Sequence, residues 1–201
     1  MSSSPLAQFI KWEKEIPQQL FLRQPFNGQW KTWTYQQAGE EIRRIANGLQ
    51  SLGFPAGSKV GLLSKNCAHW IMADLAIMMA GYVSVPLYAT ITASSIHQIL
   101  EHSESKLVIV GKLDDYSPQR QGIPSNVVKL GINAYGIDEN HSWEQWIKQF
   151  EPLKNVHLWQ PDELLTIMYT SGTTGKPKGV MHNVSNFDAT LTQAIGELGI
   201  Q

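Results

Sequence analysis

Along the 201-residue chain, apolar positions recur with two periods, one that suits strands and one that suits helices. After a polar start, residues 20–23 and 29–33 read as two short strands around Pro25, Phe26, Asn27 and Gly28. The Asn-Gly pair supplies the positive dihedrals of a tight hairpin. Thr34 and Gln37 then form a capping-box pattern, and Ala38, Ile42, Ile45, Ala46, Leu49 and Leu52 follow at helical spacing until Gly53. Residues 59–64 predict a strand, Asn66 a cap for a helix reaching about Ala80, and residues 82–87 a second strand. Thr92 or Ser95 starts another helix that ends near Ser103, with strands expected at 106–110 and 127–130. Ser142 and Gln145 repeat the capping box ahead of Trp143, Trp146, Ile147 and Phe150. Residues 164–169 make one more strand, and 186–198 a helix carrying Phe187, Leu191, Ala194, Ile195 and Leu198.

Strands alternating with helices predict an α/β fold, with an open, mostly parallel sheet, flanking helices and an early β-hairpin. The stretches 111–126 and 131–141, rich in Gly, Pro, Asp, Asn and Ser, read as surface connections. No internal repeat is visible. The last helical pattern stops three residues before the end without a closing element, which leads us to expect a cut chain.

Composition narrows the function. With 42% apolar residues the chain can bury a core, so disorder is excluded as its main state. Sixteen basic and 17 acidic side chains leave a formal charge of -1, which gives nucleic acid no electrostatic footing. The single cysteine, Cys67, cannot form an internal bridge, and a cytoplasmic location is the default expectation. The longest apolar stretch, 68–87, is broken by Asp74, Gly81, Ser84 and Pro86, so neither a membrane span nor a signal segment is expected. Asn183-Val184-Ser185 matches a glycosylation sequon, but without a secretory route it carries no weight.

One segment carries chemistry. Directly after the 164–169 strand come Thr170, Ser171, Gly172, Thr173, Thr174, Gly175, Lys176, Pro177, Lys178 and Gly179: four hydroxyls, three glycines and two lysines in ten residues. Glycines remove the Cβ atoms that keep a backbone away from a ligand, so amide N–H groups can converge on an anion. Hydroxyls add donors and lysines add charge. A Walker-type loop needs four residues between its glycines and a hydroxyl after its lysine. Here Gly172 and Gly175 are two residues too close, and Pro177 occupies the hydroxyl's place. A solvated turn kept soluble by its lysines is the remaining plain reading.

The string YTSGTTGKPKGV, residues 169–180, resembles the phosphate-binding signature of the adenylate-forming superfamily, which includes acyl-CoA synthetases. Supporting stretches come in that family's order: TWTYQQAGEEIRRIANGLQSLG, then KVGLLSKNCAHWIMADLAIMMAGYVSVPL, then KLVIV. The segment Pro86, Leu87, Tyr88, Ala89, Thr90 is similar to one in long-chain fatty acid CoA ligases. Many relatives continue the signature with Thr-His-x-Asn, whereas Met181, His182 and Asn183 place the histidine earlier, so no histidine role is carried over. Relatives are two to three times longer by this resemblance. Residues 1–201 are thus expected to be a partial AMP-binding domain. The adenine-binding aromatic segment, the magnesium-associated acid, the ribose-binding Asp, the hinge and the small mobile C-terminal domain with its lysine lie outside it.

The resemblance implies a reaction in which a fatty acid or other small carboxylate attacks the α-phosphorus of ATP with Mg2+. Coenzyme A then takes the acyl group from AMP. Ser171, Thr173, Thr174 and Lys178 are the implied phosphate contacts, joined by Thr170. Gly172, Gly175 and Gly179 permit approach, and Lys176 is peripheral. No catalytic or metal-binding residue is assigned within the chain, and the piece alone is expected to be inactive. An enzyme that passes its acyl adenylate to another acceptor, and a non-catalytic phosphate-binding or interaction module, are the alternatives. Chain-length preference, oligomeric state and peripheral membrane contact stay open.

Other candidates read as structural. His97 and His102 are five apart rather than on one helical face, and no Cys or acidic set completes a zinc sphere. Asp114 and Asp115 fit a solvated turn, Trp143 and Trp146 fit helix packing, and Cys67 an inert buried thiol. Incompleteness predicts exposed apolar surface and self-association.

Overall fold

The computed structural model describes residues 4–170 and 177–198. The first described element is a helix, α1 (Pro5–Glu15), in the stretch read from sequence only as a polar start. Ser4 Oγ accepts the Ala7 N–H at 3.2 Å, Pro5 occupies the first turn, and Leu6 and Phe9 are buried. Ser-Pro was the local signal for it. The short apolar stripe gives little stability alone, and packing against the rest of the fold supplies the remainder.

β1 (Leu20–Phe26) and β2 (Gln29–Thr34) form the expected hairpin, with Asn27 at φ 48° and Gly28 at φ 81°. β1 runs through Pro25, which a two-stranded ribbon tolerates because half of its backbone groups face away from the partner. The capping box is complete at α2 (Tyr35–Ser51): Thr34 Oγ1 accepts the Gln37 N–H, and Gln37 Oε1 accepts the Thr34 N–H. β3 (Lys59–Leu63), α3 (Ala68–Met79) and β4 (Val83–Leu87) follow as predicted, apart from the cap. Cys67 holds the N-cap position of α3 rather than Asn66, and the Ala68 N–H donates to Gln24 Oε1 of the hairpin at 3.2 Å. A tertiary partner therefore replaces the local cap.

α4 (Ala93–His102) starts after Thr92, whose Oγ1 accepts the Ser95 N–H. β5 (Leu107–Val110), α5 (Ser117–Arg120), β6 (Val128–Gly131), β7 (His141–Ser142) and α6 (Trp143–Gln149) come next. The two connections read as surface loops thus hold α5, a 3₁₀ turn at Asn133–Tyr135 and β7. They are pinned by the buried Glu139 carboxylate, which accepts from Tyr116 Oη and Arg120 Nε, each at 2.7 Å. β8 (Leu164–Thr170), β9 (Lys178–Asn183) and α7 (Val184–Leu198) complete the described chain.

Among the described residues, seven strands form one sheet in the order β7-β6-β5-β3-β4-β8-β9, parallel except for β9, which runs antiparallel to β8. Alternation along the strands divides the core into two layers. Val60, Leu62, Leu107, Ile109 and Leu130 lie under α2, α3 and α6, while Val83, Val85, Val108 and Val110 lie under α4. A register shift between Leu164 and Thr166 breaks the alternation in β8, placing Leu165 in the first layer and Ile167 and Tyr169 in the second. Trp143 and Trp146 are buried against α2, where Gly48 leaves room for the Trp146 ring.

Candidate functional site

β3, β4 and β8 run parallel, and the chain leaves β3 and β4 toward opposite layers, through α3 on one face and α4 on the other. A crevice opens where neighbouring strands diverge in this way, at their carboxyl ends. Here it is a cleft of about 300 Å³ walled by Ser64, Lys65 and Asn66 after β3, Pro86 to Ala89 around the end of β4, Met168 and Tyr169 of β8, and Trp70 of α3. Ser64 Oγ accepts the Lys112 N–H at 2.9 Å, and Lys65 Nζ lies 2.5 Å from both oxygens of Asp114. Asp114 is thus the partner of a cleft lysine, and Asp115 Oδ1 accepts the Ser117 N–H, a turn-type contact.

The hydroxyl- and glycine-rich segment follows directly on Tyr169 at this rim. Thr170 ends β8, Lys178 begins β9, and the two are register partners, both exposed. This pairing fixes both ends of the bend beside the cleft. Ser171, Gly172, Thr173, Thr174, Gly175 and Lys176 lie outside the described residues. Gly179 pairs with Tyr169, and a Cβ at Gly179 would stand 2.8 Å from Ile167 Cγ2 and 3.1 Å from the Tyr169 ring. Gly179 therefore makes room for the Tyr169 ring within the β8/β9 pair. Tyr169 Oη bonds His102 Nδ1 at 2.7 Å, and burial pushes its phenol above the usual range. His97 lies 3.3 Å from Glu101 on α4. Trp70 and Met168 were given no site role from sequence, and Tyr88 entered only as part of the 86–90 segment. The signal for Tyr88 and Met168 was their place at strand carboxyl ends.

Cys67 is buried at the start of α3, its Sγ 3.7 Å from Ser64 Oγ. Among the described residues, no three His, Cys, Asp or Glu side chains converge as a metal site, and no helix is long and apolar enough to cross a membrane.

A mostly parallel sheet with a cleft at the carboxyl ends of its strands describes a broad class of α/β domains, and sequence comparison says which. The profile of the AMP-binding enzyme family matches residues 11–199, so the chain belongs to that family. Long chain acyl-CoA synthetase 5 of Arabidopsis thaliana is 33% identical over 184 residues, covering 85% of this chain and 27% of that protein. A long-chain-fatty-acid–CoA ligase of Mycobacterium bovis is 28% identical over 187 residues, covering 90% of this chain and 31% of its own length. The chain thus spans about a quarter to a third of the curated relatives it matches. Among solved structures, a fatty acyl-adenylate ligase from L. pneumophila, crystallised with acyl adenylate and pyrophosphate, superposes with a TM-score of 0.75 at 21% identity. That match covers 98% of this chain and 33% of the other. The anthranilate CoA ligase AuaEII superposes with a TM-score of 0.76 at 22% identity, covering 95% and 36%. These likenesses establish the adenylate-forming fold.

Proposed function

We propose that this chain supplies the phosphate-binding corner of an ATP-dependent fatty acid–CoA ligase. The observation that carries the reading is the position of the 169–180 string. Its ends are pinned at the carboxyl edge of a mostly parallel sheet, beside the place where the chain leaves β3 and β4 toward opposite faces. In the reaction proposed, a fatty acid carboxylate attacks the α-phosphorus of ATP, pyrophosphate leaves with the electron pair of the broken P–O bond, and the thiol of coenzyme A then displaces AMP. Charge accumulates on the pyrophosphate oxygens as that bond lengthens. Donors already aimed at those oxygens lower the barrier without reorganising.

Ser171, Thr173, Thr174 and Lys178 are assigned to these oxygens, with Thr170 at the entry of the bend, Gly172 and Gly175 permitting approach, and Lys176 at the periphery. Gly179 acts one step removed, by letting Tyr169 set the start of β9. The described residues offer magnesium no ligand set of their own, so no step is assigned to it. A cytoplasmic location completes the proposal.

Pyrophosphate and ATP binding, followed by calorimetry, tests the assignment in the chain as it stands. Lys178→Ala is expected to weaken pyrophosphate binding by roughly 10-fold or more, the scale of one charge-assisted hydrogen bond. Equal affinities for the two proteins would remove Lys178 from the site. Fatty-acid-dependent exchange of pyrophosphate into ATP, absent from this chain and present in a form extended to the relatives' length, is the expected activity pattern.

A further inference from the structure

A second cavity, of about 320 Å³, lies between α1, the start of β1, α2 and α3, and shares Trp70 with the cleft described above. Its walls carry five aromatic rings, Phe9, Trp12, Phe21, Tyr35 and Trp70, together with a single carboxyl side chain, Asp74. Three of the rings form one cluster: Phe9 and Phe21 centroids are 5.1 Å apart, Phe9 and Tyr35 5.9 Å, and Phe21 and Tyr35 4.6 Å. Trp12 and Ile71 remain exposed at the rim, so the cavity is reachable from solvent.

We propose that this aromatic cage with Asp74 at its wall is a binding site for an organic ammonium ion of the quaternary or trimethylammonium class. Ring faces are negative and attract a diffuse cation, and several rings converging on one volume is the arrangement that recognises such a group. Among the described residues no ion pair involves Asp74. Three cations of the neighbouring helices have partners elsewhere: Arg43 with Glu13 at 2.5 Å, Arg44 with Glu40 at 2.9 Å, and Lys11 over the Trp12 ring at 4.6 Å. Burial raises the Asp74 carboxyl to about 6, against the opposing pull of the Ser84 hydroxyl, which is the signature of an acid without a compensating charge.

Other ligand classes fit less well. A neutral apolar occupant would desolvate Asp74 further and leave its cost unanswered. An anion meets the carboxylate and the ring faces with the same sign. A small hard metal ion asks for six or more oxygens, and the cavity wall offers one carboxylate beside apolar rings. An alkylammonium group satisfies both features at once, since its charge is spread over methyl groups that also bury apolar surface.

The test uses the 201-residue protein, titrated with choline at constant ionic strength and followed by tryptophan fluorescence and calorimetry. Its uncharged isostere, 3,3-dimethylbutan-1-ol, serves as the comparison. Choline is expected to saturate and to bind at least about 10-fold more tightly than the isostere, the combined effect of a carboxylate and several ring faces. Asp74→Asn should abolish that preference while leaving weak binding of the alcohol. Trp12→Leu, which keeps an apolar side chain at the exposed rim and removes the ring, should weaken choline by about 3-fold or more. Equal binding of choline and the isostere overturns the proposal and marks an ordinary apolar groove. Absence of saturation, or an Asp74→Asn protein that retains the preference, overturns it as well. Pyrophosphate binding at the 170–178 bend is a separate readout, so failure of either site leaves the other standing.

Discussion

Glu41 joins three elements through two oxygens. Its Oε2 accepts the Trp33 indole N–H of β2 at 3.0 Å, its Oε1 accepts that of Trp143 from α6 at 2.6 Å, and His69 Nε2 of α3 stands 3.8 Å away. Glu41→Ala leaves two buried indole donors unpaired and is expected to cost about 2–4 kcal/mol in urea unfolding, against about 1–2 kcal/mol for Glu41→Gln, which retains an acceptor. His69 itself is 2% exposed, ringed by Trp33, Tyr135 and Trp143. Burial lowers its imidazole to about 4, with Glu41 opposing and Lys31 adding to the effect. The unfolded chain therefore binds one more proton at this site between about pH 4 and 6.5, and His69 makes stability rise with pH across that window. Asp74 does the reverse. Its carboxyl is raised to about 6 from 3.8, so the folded chain holds the extra proton between those values and stability falls as pH rises. The two slopes oppose each other from about pH 4 to 6. Asp74→Asn removes one of them and is expected to steepen the acid loss of stability by about 1 kcal/mol per pH unit, as read from urea midpoints at pH 4.5 and 5.5.

At the scale of elements, what was readable depended on whether the stabilising partner is local. The Asn27-Gly28 turn and the Thr34/Gln37 box are closed by their own side chains, and 107–110 is apolar at every position, so hairpin, α2 and β5 stand where the chain pattern put them. The start of α3 was misassigned because its first N–H is met by Gln24, 44 residues away. β9 escaped notice because its Val180 and Met181 are exposed, which gives no buried alternation to detect. The 170–179 segment stood out by composition and resemblance, but the Thr170–Lys178 pairing that places its two ends needs β9, and the cleft beside them needs the strand order. Gly179 is the hinge between those levels. Gly179→Val forces a branched side chain into the space of the Tyr169 ring and Ile167. It is expected to lower stability by about 1–3 kcal/mol and to weaken pyrophosphate binding without changing the charge of the bend, measured by thermal unfolding and calorimetry together.

The whole molecule presents β9 at the edge of its sheet, with Met168, Val180 and Met181 open to solvent on and beside it. An apolar edge with unpaired backbone groups invites pairing with another chain. Self-association that grows with concentration is expected in light scattering, and Met181→Lys should suppress it, since an edge lysine resists strand addition. A monomer at every concentration would argue that α7 shields this edge. Across the sheet, β3 is stitched to β4 by five register pairs and to β5 by four. β4 and β8 share one, Ser84 with Thr166, reinforced by the Thr166 hydroxyl donating to the Ser84 carbonyl at 3.0 Å. β8 nevertheless packs against β4 as closely as β3 does. Any displacement of Thr170 is thereby passed along β8 to both its neighbours, β4 on one side and β9 on the other.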